Sequence, residues 1–177
     1  MLYLRKGDIT RFSGDVIVNA ASRHLHHGGG VCGAIHRAAG PELLAACRSH
    51  IRAYGKPRVG TAVLTPPGYL PCRAVIHAVG PRWLFGLWAE RQDNLLAQAY
   101  LRALTLARDN GFSSMAFPCI STGHYFSGGR NSVTHHHHVS DAHRAGYGCA
   151  LLLFQQTGRP DLPAHSAGKT SSSLFNG

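Results

Sequence analysis

The run His27-Gly28-Gly29-Gly30-Val31-Cys32-Gly33 is the part of this 177-residue chain best suited to chemistry. Three successive glycines cost backbone entropy that a packed core does not require. They permit positive φ and let main-chain N–H groups come close to a ligand. A glycine run that opens a helix makes an anion site from unpaired N–H donors and the positive end of the dipole. A flexible surface turn is the alternative reading of the triplet alone. Ser121-Thr122-Gly123 follows the apolar run Met115–Phe117 and Cys119-Ile120. Short hydroxyls and a glycine at the carboxyl end of a strand suit a ligand crevice in an open α/β sheet, and also suit an ordinary turn. Gly7-Asp8-Ile9-Thr10 offers a third candidate. The Asp8 carboxylate can accept a hydrogen bond from the exocyclic amine of a base. It can equally cap a turn.

Such groups need elements to hold them. Leu2–Arg5 is a short apolar start, and Val16-Ile17-Val18 is a continuous β-branched run of the kind found in buried strands. Ala34–Ala39 can be helical. Pro41 and Glu42 suit a helix start, and Leu43, Leu44, Cys47 and Ile51 make an apolar stripe behind them. Gly55 and Pro57 end it. Thr61–Thr65 and Val75–Val79 read as strands. Glu90–Asp109 is the longest helical pattern, carrying Leu95, Leu96, Ala99, Leu101, Leu104 and Leu106, and Asn110-Gly111 closes it. Met115–Phe117 reads as a strand. This alternation predicts an α/β sheet with helices on its faces.

Composition sets outer bounds. Apolar residues make up 44% and charged residues 15% of the chain, which is globular and lighter in charge than the roughly 25% norm. No apolar run of about 18 residues suggests a membrane span, and Met1–Gly14 does not read as a secretory signal. Cys32, Cys47, Cys72, Cys119 and Cys149 are scattered without a Cys-x-x-Cys pair, so reduced thiols in a cytoplasmic protein are expected, with neither a disulfide framework nor a zinc site. Eighteen basic residues face eight acidic ones. That excess favours polyanionic partners without selecting among nucleic acid, a nucleotide diphosphate and an anionic surface.

Taken together, the words and their spacing resemble the macro domain family. They are Gly7-Asp8-Ile9-Thr10, Val16-Ile17-Val18-Asn19-Ala20-Ala21, Gly28–Gly33 with Ile35-His36-Arg37-Ala38-Ala39-Gly40, Ile76-His77-Ala78-Val79-Gly80-Pro81, and Phe117-Pro118-Cys119-Ile120-Ser121-Thr122-Gly123. The likeness covers about residues 1–125, and runs to the bacterial stand-alone members associated with ADP-ribose and O-acetyl-ADP-ribose. It implies a three-layer α/β/α sandwich with a central mixed sheet. It also implies an ADP-ribose cleft in which Asp8 receives the adenine amine and Ile9 adds a backbone contact. Gly28, Gly29, Gly30 and Val31 would line a first phosphate loop, with Cys32 also among the ligand-binding residues. Ser121, Thr122, Gly123, His124 and Tyr125 would form a second over the diphosphate and distal ribose, and Asn19 would hold the loop near that ribose. Two loops of backbone donors grip a diphosphate without a metal or cofactor. ADP-ribosylated proteins are further expected partners.

The chain departs from the family in three places. Many hydrolytic members read Asn-Ala-Ala-Asn where this one has Asn19-Ala20-Ala21-Ser22, and Gly-Gly-Gly-Val-Asp where it has Gly28-Gly29-Gly30-Val31-Cys32. The second Asn and the Asp are the residues usually assigned to the attacking water. Asn19, Ser22 and Cys32 are therefore the catalytic candidates here. Cys32 serves as a base only if its pKa is lowered, as a helix N-terminus can do; a buried structural thiol is the other reading. Some members that lack the Asp are understood to position the water with the substrate's own phosphate. After Tyr125 the texture changes: Ser, Thr, Gly and His dominate, His135–His138 form a tetrad, and only Tyr147–Phe154 resembles a strand. Residues 126–177 read as an unassigned, low-complexity tail, disordered from Leu162. A shifted reading frame near Tyr125–Arg130 would explain it and would deprive the sandwich of its last helix and strand. The histidine tetrad is expected to bind divalent ions only weakly, without the fixed geometry of a metal site, and the loop histidines His24, His26 and His27 are expected to face solvent. His77 is expected to be a hydrogen-bonded core residue, and Trp83, Phe85 and Trp88 to shelter a base or pack on the sheet. The competing readings are a basic RNA-binding module and an inactive, damaged copy.

Overall fold

The structure is a computed structural model, and it describes residues 2–81, 89–120 and 150–155. Six strands form one mixed sheet: β1 (Leu2–Lys6), β2 (Val16–Ala21), β3 (Ala62–Thr65), β4 (Ala74–Val79), β5 (Ser114–Phe117) and β6 (Ala150–Gln155). Their order is β1-β6-β5-β2-β4-β3. β2 runs parallel to both β4 and β5, whereas β3 is antiparallel to β4, and β6 is antiparallel to β1 and β5. The helices are α1 (Gly30–Ala39), α2 (Pro41–Tyr54) and α3 (Ala89–Asp109), with one 3₁₀ turn at Ile9–Arg11.

The two faces of the sheet are separated by strand alternation. Val16 and Val18 of β2 and Ala74, Ile76 and Ala78 of β4 pack with Leu96, Ala99, Ala103 and Ala107 of α3. Ile17 and Val75 point the other way, into a cluster with Ile35 and Ala39 of α1 and Leu43 of α2. The result is the three-layer α/β/α sandwich that the family resemblance implies. Each buried Val, Ile or Leu side chain among these contributes roughly 1.5–3 kcal/mol by leaving water, and each alanine methyl about 0.8 kcal/mol. Alanines, rather than the leucines that caught the eye in sequence, make most of the α3 seam. Leu101 is 61% exposed, while Ala99 and Ala103 are fully buried. Small side chains let the helix lie close to the sheet.

Residues 150–155 correct one expectation. They form β6, which pairs Leu152 with both Leu4 and Phe117 and fills the place between β1 and β5. The strand-like texture noted at Tyr147–Phe154 is thus a strand of the sheet over these residues, and the sandwich does not lack a strand there. The expected loss of the last helix, the tail's disorder, the His135–His138 tetrad and the Trp83/Phe85/Trp88 cluster fall outside the described residues. Among the described residues no helix is long and apolar enough to cross a membrane.

Candidate functional site

Because β6 opposes both β1 and β5, those two strands run in the same direction, as do β2 and β4. The carboxyl ends of β1, β2, β4 and β5 therefore share one end of the sheet. Asp8 follows the first, Ser22–Gly29 the second, and Pro118–Ile120 the last. This is where ligands sit in open α/β sheets. Ser121, Thr122, Gly123, His124 and Tyr125 continue from β5 and lie outside the described residues.

The loop from β2 to α1 is built around a strained anchor. Leu25 is the one non-glycine residue with positive φ among those described, at 49°, and its side chain is buried. Burial of the leucine holds a backbone conformation that costs energy elsewhere. His24, His26 and His27 around it are exposed, as expected. The Ser22 hydroxyl accepts from the backbone N–H of His24 at 3.3 Å, which closes the first turn of the loop.

The glycines behave as their chemistry demands. Gly30 has φ of +56°, a conformation that favours glycine. Gly29 caps α1 with no side-chain hydrogen bond, so the first-turn N–H groups have no side-chain acceptor at the cap. Gly28, Gly29 and Gly30 are exposed, Val31 is half-buried and Cys32 is buried. A Cβ on Gly28 would meet nothing within 4 Å, whereas one on Gly33 would stand 2.3 Å from the Gly28 carbonyl oxygen. Gly33 is thus the residue that lets the loop fold back onto the helix. Sequence reading placed it in the run without giving it this task.

Asn19 lies beneath that turn. It is fully buried near the end of β2, and its Nδ2 reaches Nδ1 of His77 at 3.1 Å and Sγ of Cys32 at 3.6 Å. It therefore ties the sheet to the first turn of α1. Its Oδ1 is buried with no hydrogen-bond partner. Cys32 donates weakly to the His26 carbonyl at 3.7 Å. Burial pushes its thiol pKa up, against the hydrogen bonds from Asn19 and the Gly28 backbone, so the sulfur stays protonated at neutral pH. Of the two states open to this cysteine, the surroundings favour the structural thiol.

At the β1 end, Asp8 uses one carboxylate oxygen to cap the 3₁₀ turn, accepting from the Thr10 N–H at 3.0 Å and the Thr10 hydroxyl at 2.8 Å. The side chain stays exposed, and its neighbour Ile9 is buried in the core. Asp8 thus fills its capping role while remaining at the rim of the crevice.

These observations meet in the comparisons with known proteins. A family model described as "Macro domain" matches residues 18–129. The chain belongs to the macro domain family. This macro domain is 56% identical over 124 residues to a protein of Escherichia fergusonii named O-acetyl-ADP-ribose deacetylase, covering 70% of this chain and 69% of that one. It is 51% identical over 124 residues to the like-named protein of Escherichia coli K12, with the same coverage. Among solved structures, it resembles the Oceanobacillus iheyensis macrodomain with ADP, at 41% identity and a TM-score of 0.64, covering 72% of this chain and 74% of that one. It also resembles the Trypanosoma brucei macrodomain in complex with ADP-ribose, at 40% identity and a TM-score of 0.60, covering 68% and 47%.

One cluster in this macro domain has the donor types of a metal site. A ring nitrogen each of His36 and His77 and the Cys47 sulfur lie within 4.8 Å of one another, all buried. His77, however, already engages both ring nitrogens: Nδ1 with Asn19, and Nε2 with the Thr65 hydroxyl at 2.9 Å and the Cys47 sulfur at 3.5 Å. A cation there would have to break that set, and Cys47, pushed up to about 12 by burial and by Cys32, resists becoming the thiolate that ligates metals.

Proposed function

We propose that this protein binds ADP-ribose and its ester derivatives in the crevice at the carboxyl ends of β1, β2 and β5. We further propose that it hydrolyses an ester at the distal ribose: acetate from O-acetyl-ADP-ribose, or ADP-ribose from modified acidic side chains of proteins. The observation that carries this is the first turn of α1, where exposed Gly28–Gly30, an uncapped helix start and a Cβ-free approach offer main-chain donors to a diphosphate. The names of the relatives support the ester as substrate. Asp8 at the rim would take the adenine amine, with Ile9 adding a backbone contact. Ser121–Tyr125 would close over the diphosphate and distal ribose from β5.

In the hydrolysis, a water oxygen adds to the acyl carbon and the ribose oxygen leaves with a proton, giving a carboxylic acid and free ADP-ribose. A protonated Cys32 does not take the water's proton. The substrate's own phosphate, held on the α1 amides, would position the water, with Ser22 at the mouth of the loop. Calorimetric titration of purified protein with ADP-ribose tests binding: a saturable heat and a raised melting temperature are expected. No heat and no thermal shift at millimolar ligand would sink the reading. Acetate release from O-acetyl-ADP-ribose then separates enzyme from binder.

The nucleic-acid reading has one structural observation in its favour. No Asp or Glu occurs from residue 43 to residue 89, and Arg23 Nε donates to the Pro57 carbonyl at 3.0 Å, which sets Arg23 beside the segment carrying Lys56 and Arg58. All three cations are exposed. RNA binding that weakens steeply with salt and is not displaced by ADP-ribose would favour that reading.

A further inference from the structure

Beneath the glycine turn, four side chains form a hydrogen-bonded line from the sheet's edge to the helix that faces the crevice. Thr65 on β3 meets His77 on β4 at 2.9 Å, His77 meets Asn19 on β2 at 3.1 Å, and Asn19 meets Cys32 in the first turn of α1 at 3.6 Å. Asn19 and His77 are register partners on parallel strands, so the sheet itself sets their distance. His77, Asn19 and Thr65 are all buried.

The chemistry of the donors fixes the protons. Asn19 Nδ2 can only donate, so His77 Nδ1 must accept. The ring proton is then on Nε2, aimed at the Thr65 oxygen. Both amide hydrogens of Asn19 are used, one on His77 and one on Cys32. Rotating the amide would set its oxygen against an acceptor nitrogen and remove the donor from Cys32. In this arrangement an imidazole protonated on Nε2 fits Asn19 with its Nδ2 turned toward both His77 and Cys32, and that amide links β2 to the first turn of α1.

We propose that His77 is a positioning residue for diphosphate binding: in its Nε2-protonated neutral form it orients Asn19, and through Asn19 it holds the first turn of α1 in register with the crevice. The inference rests on the reading of that crevice as a diphosphate site. His77 touches no ligand; its effect passes through one amide. Small displacements of binding groups have large consequences for ligands held by several donors at once.

The test compares wild-type protein with His77→Phe and His77→Gln by ADP-ribose calorimetry and thermal melting. Phenylalanine keeps the ring volume and loses both nitrogens. Glutamine offers a carbonyl to Asn19 and an amide donor to Thr65. His77→Phe is expected to melt cooperatively yet bind ADP-ribose about tenfold or more weakly, while His77→Gln stays within about threefold of wild type. Equal binding by His77→Phe, or failure of glutamine to restore affinity in a folded protein, overturns the inference while the wild-type titration leaves the diphosphate reading standing. A wild-type protein that gives no heat overturns both. Nitrogen chemical shifts of the His77 ring in labelled wild-type protein supply a measurement that needs no variant to fold. An Nε2–H tautomer is expected, and an Nδ1–H tautomer overturns the proposal.

Discussion

Asp15 accepts both the backbone N–H of Ser113, at 2.8 Å, and the Ser113 hydroxyl, at 2.9 Å, on a single carboxylate oxygen. The same oxygen takes the Ser114 N–H at 3.0 Å, and the other takes Arg73 at 2.9 Å. Asp15 thereby joins the amino ends of β2, β4 and β5, the end of the sheet opposite the crevice. Burial alone would raise its pKa, but the hydrogen bonds from Ser113, Arg73 and Ser114 outweigh it and hold the carboxyl near about 2 instead of 3.8. A group depressed in the folded state stabilises above its unfolded pKa. That contribution is complete above about pH 4 and fades as the pH falls toward about 2. Asp15→Ala leaves the Ser113 and Ser114 donors unpaired and is expected to cost about 2–3 kcal/mol in urea denaturation at pH 7. The difference between variant and wild type should shrink as the titration is repeated below pH 4.

Gly28 and Gly33 separate ligand binding from folding. A methyl on Gly28 meets no protein atom within 4 Å, so Gly28→Ala should melt within about 0.5 kcal/mol of wild type. Its methyl would instead intrude on the space in front of the amides, and ADP-ribose affinity should fall about tenfold or more. A methyl on Gly33 would strike the Gly28 carbonyl, so Gly33→Ala must move the loop and should lower both melting temperature and affinity. Paired melting and calorimetry distinguish the two outcomes. If Gly28→Ala binds as well as wild type, the ligand does not lie against that turn.

The glycine turn and the sandwich were legible because local chemistry and tertiary role agree. A β-branched run such as Val16–Val18 buries on both faces and forms β2, and Pro41-Glu42 begins α2 as its residue types require. Other features had no local signal. Ala103 and Ala107 pack α3 on the sheet because their size suits a close approach, which the apolar pattern read over Glu90–Asp109 does not report. Leu25's strained backbone is visible only once its side chain is seen in the core. The Asn19–His77 contact depends on strand register between segments 58 residues apart. β6 was the hardest to read: Ala150–Gln155 is a short apolar run in a polar tail, and its place between β1 and β5 is set by pairing partners distant in sequence.

Cys32 marks the clearest route to a change in activity. Burial keeps the thiol protonated, so the proposed hydrolysis should show no rise near pH 8–9 that the thiol could supply. Cys32→Ala removes the sulfur through which Asn19 holds the first turn of α1, so it should bind ADP-ribose more weakly, as His77→Phe does, while kcat at saturating substrate stays within about threefold of wild type. Cys32→Asp places a carboxylate beside Asn19 Nδ2 and the first-turn amides of α1, where hydrogen bonds and the helix dipole favour its charged form. It installs the Asp that the family resemblance implies at this place in many hydrolytic members. The rate of acetate release from O-acetyl-ADP-ribose should rise by about a hundredfold, the low end of what a general base contributes. An aspartate variant that binds ADP-ribose but hydrolyses no faster would show that water activation here does not run through position 32.

His77 also makes the protein sensitive to acid in a window distinct from that of Asp15. Complete burial, then the charges of His36 and His50, lower its pKa from 6.5 to about 3. His36 is lowered too, by burial and by the charges of His27 and His26, and both of its ring nitrogens are buried without a hydrogen-bond partner. Below about pH 6.5 the unfolded chain therefore binds protons on these imidazoles more readily than the folded chain does. Stability should therefore be full above about pH 7 and fall as the pH drops through 6 toward 4, where Asp15 is still ionised. Chemical denaturation at half-unit steps should show this slope in wild type and a shallower one in His77→Gln, which has nothing to protonate. Equal slopes in the two proteins would mean that acid unfolding is governed by other groups, with His36 the next to test by His36→Gln.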